Sequence, residues 1–234
     1  MQLDYSNRNV VITGGAGALG AAVVQLLIDS GATCHVPAHS APDPARFALA
    51  KHERVRVQAG IDLTNESAVR DFYGAIPSLW ASIHVAGGFA AAPIAQTTFE
   101  QFNEMFSTNT VTAFLCCREA VTRIRATGKQ GGRIVNVGSR PSLVPTPGLL
   151  AYAASKAAVN SITVNLAEEL APEKIWVNAV IPSMLDTPAN RRAMPDADFS
   201  KWPNLDEVAA IIAFLASPQN TVIRGALVPV YGQS

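Results

Sequence analysis

The stretch NVVITGGAGALG, Asn9 to Gly20, sets four glycines behind a run of β-branched residues and in front of an amphipathic one. Val10 to Thr13 favour an extended strand, and apolar residues at helical spacing run from Ala18 to Ser30. Glycines at such a turn leave backbone N–H groups bare at a helix N-terminus. The helix dipole attracts an anion there, and a side chain would hold the anion away. Few folds present a strand, a bare turn and a helix in that order, and those that do are built on parallel strands whose helices return over the sheet.

The rest of the chain keeps the same rhythm. ATCHV, RVRVQ, ASIHVA, GRIVNV, KIWVNAV and ALVPVY read as strands. The segments Glu66 to Gly74, Thr98 to Thr127, Leu149 to Ala171 and Leu205 to Ala216 read as helices. Seven strands interleaved with helices predict an α/β, Rossmann-type, doubly wound parallel sheet with helices on both faces. No repeat or linker divides residues 1–234, so a single domain is expected. Apolar residues at 49% and charged ones at 15% suit a sheet covered on both sides. The long stretch from Pro182 to Asn204 carries four prolines and reads as an irregular loop, a lid over the site.

Eighteen basic and eighteen acidic residues balance, with no dense basic run, so a small-molecule substrate is expected rather than nucleic acid or a membrane. Cys34, Cys116 and Cys117 lack metal-ligand spacing and read as buried thiols, and the four histidines show no metal pattern. MQLDYSNRN has no apolar core of a secretory signal, and no apolar run approaches the ~18 residues of a membrane span, which points to the cytoplasm.

Two glycine registers overlap. Gly15, Gly17 and Gly20 fit G-x-G-x-x-G, whereas Thr13, Gly14 and Gly20 fit T-G-x-x-x-G-x-G with Ala18 in place of its middle glycine. Downstream, YAASK puts Tyr152 and Lys156 four residues apart, on one face of a helix. A lone pair of this kind is commonly just a surface feature. As a working pair it has a purpose: a free tyrosine titrates near ~10, and a nearby ammonium is expected to lower that value by favouring phenolate.

The second glycine register together with Y-x-x-x-K resembles the short-chain dehydrogenase/reductase family, over essentially the whole chain. The resemblance implies the catalytic set Asn109, Ser139, Tyr152 and Lys156. Ser139, thirteen residues before Tyr152, would hydrogen-bond the reacting oxygen. Tyr152 would be the general acid, Lys156 would hold the ribose and tune Tyr152, and Asn109 in FSTNTVTAF would support a proton-relay water. For the nucleotide it implies Gly14, Gly15, Gly17, Ala18, Leu19 and Gly20, then Ala38, His39 and Ser40 after the second strand. Asp62 and Leu63 would meet the adenine, and Ala86, Gly87, Gly88, Tyr152 and Lys156 the nicotinamide riboside. Pro182, Leu185 and Thr187 in IPSMLDT would close over the carboxamide and phosphates, although Ser183 stands where the family has glycine. Phe89, Met184 and Trp202 are candidates to face substrate.

HVAG, His84 to Gly87, lacks the family's two asparagines, and His84 reads as a satisfied internal polar residue. GGAGALG, VAGGF and LDTPANRRAMPDADFSKW resemble the quinonoid dihydropteridine reductase branch, which however lacks a serine at the position of Ser139. The leading expectation is therefore an NAD(P)-dependent oxidoreductase moving hydride between nicotinamide and a small carbonyl or alcohol. Dihydropterin reduction is the second reading, and a non-catalytic NAD(P)-sensing regulator is the reading from another class. The second strand ends without a carboxylate, and His39, Ser40 and Arg46 can donate to a 2′-phosphate, so NADP(H) is expected to be favoured modestly over NAD(H). The resemblance also implies a homodimer or homotetramer through the helices of Asn109 and Tyr152.

Overall fold

The computed structural model describes residues 3–45, 47–127 and 131–234. The strands are β1 (Asn9–Thr13), β2 (Thr33–Ala38), β3 (Val55–Ala59), β4 (Ala81–His84), β5 (Gly132–Val137), β6 (Ile175–Pro182) and β7 (Leu227–Val230). All pair in parallel in one sheet of order β3-β2-β1-β4-β5-β6-β7. Helices α1 (Ala18–Asp29) and α7 (Leu205–Ala216) lie on one face, and α2 (Glu66–Gly74), α4 (Thr112–Thr127) and α5 (Leu150–Glu169) on the other. Side chains of β1 show why both faces must be covered. Val10 and Ile12 enter the core with α1 and α7, Val11 enters the core with α2 and α4, and all three are fully buried.

The sequence reading places every strand and long helix to within a residue or two at most ends. Two segments differ. The expected helix from Thr98 to Thr127 is α3 (Phe99–Met105), then a wider π turn (Phe106–Val111), then α4. The stretch expected to be irregular contains helix α6 (Pro188–Ala193) and a 3-10 turn at Phe199–Lys201. Six residues starting with proline, capped by the Thr187 side chain, form a helix too short to leave a periodicity. Among the described residues no helix is long and apolar enough to cross a membrane.

The strand ends carry the site. β1, β4, β5 and β6 finish at one edge, and the loops leaving them meet there, where the sheet order reverses between β1 and β4. Beneath that edge lies a buried polar chain. His84 at the end of β4 bonds Ser82 and Asn136, each at 2.8 Å, Tyr73 bonds Ser82 at 2.8 Å, and Asn136 donates to Thr163 of α5 at 2.9 Å. His84 is thus the satisfied internal group expected, and burial pushes it down to about 4. The three cysteines are buried, which pushes each thiol up to about 12.

Candidate active site

The turn from β1 to α1 explains its glycines one by one. Gly14 has φ +66°, and a Cβ there would stand 2.7 Å from the backbone nitrogen of Ala86. A Cβ on Gly20 would fall onto the carbonyl of Gly14. Gly17 is the N-cap of α1, is exposed, and leaves the helix start without any side-chain cap. Ala18 is exposed at the first helical position, so its methyl is tolerated where the pattern has glycine, while Leu19 turns into the core. Thr13, fully buried, accepts the Ala86 N–H at 3.2 Å and ties this turn to the end of β4. A bare, uncapped helix start behind a turn that admits no side chain at Gly14 or Gly20 fits a dinucleotide pyrophosphate.

At the end of β4, Gly87 and Gly88 meet the π turn. Asn109 accepts the Gly88 N–H at 3.0 Å, and its amide donates to the Gly88 carbonyl and to Ser155 Oγ, both at 3.1 Å. The wider turn swings Asn109 inward, where it is buried. A Cβ on Gly87 would lie 2.6 Å from Asn109 Oδ1 and 3.2 Å from Lys156 Nζ, so the amide and the ammonium converge on that glycine. Lys156 is buried on α5 and donates to the carbonyl of Val137 at 2.9 Å.

Tyr152, one turn before Lys156, is half-buried, and the Ser139 hydroxyl is near enough to favour its phenolate form. The exposed ring of Phe89 stands edge-on to it, with centroids 5.0 Å apart and planes at 73°. One expectation fails here. Tyr152 is raised, not lowered, because burial outweighs the influence of the Ser139 hydroxyl, and the Lys156 head is turned to Val137 instead. Burial also pushes Lys156 itself down to about 8.

Two residues that sequence reasoning missed support this cluster. Asn160, eight residues after Tyr152 and on the same face of α5, donates to Ser142 Oγ at 2.8 Å. Ser142 in turn donates to the Ser139 carbonyl through its hydroxyl at 2.6 Å and its N–H at 2.9 Å. The strap fixes the turn that carries Ser139. Spacing along α5 was the available signal for Asn160; nothing local marked Ser142.

The other expected residues lie apart from the Tyr152 cluster. Ala38 ends β2, and His39 and Ser40 are exposed beyond it. Asp62 accepts the Thr64 N–H and hydroxyl at 2.8 and 2.7 Å, next to half-buried Leu63, with His39 close enough to favour its charged form. Arg46 lies outside the described residues. Pro182 ends β6, the Leu185 carbonyl accepts from Asn190 at 2.8 Å, and the Thr187 hydroxyl caps α6. Ser183, in the family's glycine position, donates to the Tyr231 carbonyl at 2.8 Å, binding the start of the segment to the chain after β7. Met184 is half-buried, and Trp202 packs on Phe199 at 5.0 Å within the segment rather than on Tyr152.

Comparison with known proteins agrees with this geometry. The family model described as short chain dehydrogenase matches residues 8–198. An uncharacterized oxidoreductase of Escherichia coli, YgfF, is 31% identical over 95% of this chain and 98% of its own. A protein of Arabidopsis thaliana described as NADPH-dependent aldehyde reductase-like, chloroplastic, is 29% identical over 98% of this chain and 95% of its own. A solved structure, ElxO with NADP bound, shares the fold with a TM-score of 0.86 at 24% identity, covering 96% of this chain and 97% of that one.

Proposed function

The chain belongs to the short-chain dehydrogenase family, and from that premise we propose that it reduces a small carbonyl compound with Tyr152 delivering the proton. Membership makes it an NAD(P)-dependent oxidoreductase; the substrate class and the residue roles are the added step. A bound nicotinamide dinucleotide would supply the hydride. The observation that carries the reading is half-buried Tyr152 on α5, one helical turn before the buried Lys156, with buried Ser139 beside it at the end of β5. Ser139 orients the carbonyl oxygen, Tyr152 protonates it, Lys156 holds the ribose, and Asn109 fixes Gly88 and the floor beside it. The glycine turn seats the pyrophosphate, with Ala38, His39 and Ser40 at the adenosine ribose and Asp62 at the adenine edge. The segment 182–204 acts as a lid, which faster proteolysis without cofactor than with it would support. The tetrad argues against a regulator that only senses NAD(P).

Preference for NADP(H) is modest in this reading. It rests on the absent carboxylate after β2, and a relative described as NADPH-dependent agrees with it. Exposed Val111 and Phe114, with Leu150 and Val164 on α5, give an apolar surface for a homodimer or homotetramer, in the cytoplasm. A second reading, quinonoid dihydropterin reduction, draws on the exposed Phe89 ring, which offers a flat ligand a stacking partner. Fluorescence titration with NADPH and NADH, followed by turnover of a carbonyl panel that includes quinonoid dihydropterin, tests both. Nucleotide binding with no turnover of any member would return the regulator reading.

A further inference from the structure

Arginine usage in the chain singles out one residue. Of the twelve described arginines, nine donate to a protein carbonyl or carboxylate. Arg8, Arg140 and Arg192 do not, among the described residues. Arg8 stacks on Trp80, at the opposite end of the strands, and Arg192 is exposed on α6. Arg140 follows Ser139 directly and is half-buried, with no ion pair to any described carboxylate. Its guanidinium lies over the Tyr231 ring, 5.6 Å from the centroid. A partly desolvated guanidinium with unused donors in a fork geometry is a ready receptor for an anionic group that presents two oxygens.

Placement gives that receptor a meaning. β5, β6 and β7 are adjacent and end at the same edge, with Val137 beside Val180 and Pro182 beside Val230. Ser139 follows the end of β5 and Tyr231 the end of β7, so Arg140 reaches from one across the end of β6 to the other. Ser183 lies between, its hydroxyl taken by the Tyr231 carbonyl. Of the acids in the 182–204 segment that follows β6, Asp186 pairs with Arg191, and Asp198 with Ser200 and Lys201. Among the described residues no carboxylate pairs with Arg140.

We infer that the substrate carries an anionic oxygen group, a carboxylate or a phosphate, held by Arg140 while its carbonyl lies at Ser139 and Tyr152. The inference rests on the carbonyl-reductase reading and names the substrate class within it. The spacing follows from the sheet. β5 and β7 stand two strand spacings apart, ~10 Å, so an anion held by Arg140 between them is set well away from a carbonyl at Ser139, which suits 4-oxo and 5-oxo acids better than 2-oxo acids. The reduction stays balanced as before, with hydride from NADPH to the carbonyl carbon and the Tyr152 proton to its oxygen.

The test is a ratio taken within each protein, so a general loss of activity cancels. kcat/KM is measured with NADPH for 2-oxo to 5-oxo acids against their methyl esters, and for 3-oxobutyl phosphate against 4-hydroxybutan-2-one. The wild type is expected to favour the anion by about tenfold or more, and R140Q and R140L to bring the ratio near one. The carboxylate and phosphate arms tell which anion is meant. Equal use of anion and neutral partner by the wild type, or a preference that survives R140Q, overturns the inference. Binding of pentanoate and of inorganic phosphate to the NADP+-loaded protein is followed in parallel by calorimetry. If no carbonyl is turned over, the reductase reading fails, yet loss of anion binding in R140Q still supports the anion site, and unchanged or absent binding refutes it.

Discussion

Lys156 Nζ donates to the Val137 carbonyl at 2.9 Å, tying a buried ammonium to the last residue of β5. Burial holds this lysine near 8 against an ordinary 10.5, so between those values the unfolded chain binds more protons than the folded one. Stability therefore rises with pH across that window, by up to about 3 kcal/mol. Urea unfolding at pH 7.5 and 10 is expected to show the rise in wild type and a flatter response in Lys156→Met. The same variant should bind NADPH at least about tenfold more weakly, since it loses a charged donor. A variant that kept both affinity and pH slope would remove Lys156 from the site.

Tyr152→Phe keeps the ring that Phe89 contacts and deletes only the hydroxyl. NADPH affinity is expected to stay within about threefold, while kcat falls about 10²-fold to 10⁴-fold, the usual worth of a placed general acid. Fluorescence titration and steady-state kinetics on one preparation decide it. Wild-type kcat in the phenylalanine variant would mean the proton comes from elsewhere.

The backbone of this site was legible in the sequence because its signals are local. The glycines of the β1–α1 turn, the strand before Ser139 and the spacing of Tyr152 and Lys156 all lie within short segments whose periodicity is strong. What the sequence hid depends on packing. The depressed lysine and raised tyrosine come from burial, which no spacing reports. The π turn at Asn109 inserts an extra residue into an otherwise ordinary helical pattern, and Arg140 stands out by its place over Tyr231 and by the lack of a carboxylate partner among the described residues.

Asn160 and Ser142 hold the Ser139 turn against α5. Asn160→Leu or Ser142→Ala should lower kcat about tenfold with NADPH affinity unchanged, and the double variant should lose little more, because the two act through one strap. Losses that simply multiply would show that the residues act separately.

His84 is fully enclosed and held near 4 instead of 6.5, so the unfolded chain again takes up the proton first. Its contribution is present in full above pH 6.5 and drains away as pH falls towards 4, by up to about 3 kcal/mol. Thermal unfolding between pH 7 and 4.5 should fall more steeply in wild type than in His84→Gln. Parallel curves would place the acid sensitivity in the carboxylates.

The preference for NADPH should be about tenfold, ~1.4 kcal/mol, and should shrink in His39→Ala, which removes an exposed donor from beside a 2′-phosphate. kcat/KM for both cofactors, in wild type and His39→Ala, measures it. A clear NADH preference in the wild type would place other groups at the ribose.

The strand order also dictates how the molecule can be built as it leaves the ribosome. β1 pairs with β2, which pairs with β3, so the first three strands close among themselves. The other edge of β1 waits for β4, some seventy residues later in the chain, and stays an open, apolar template until then. From β4 onward each new strand joins beside the one made just before it, and the growing sheet advances in the direction of translation.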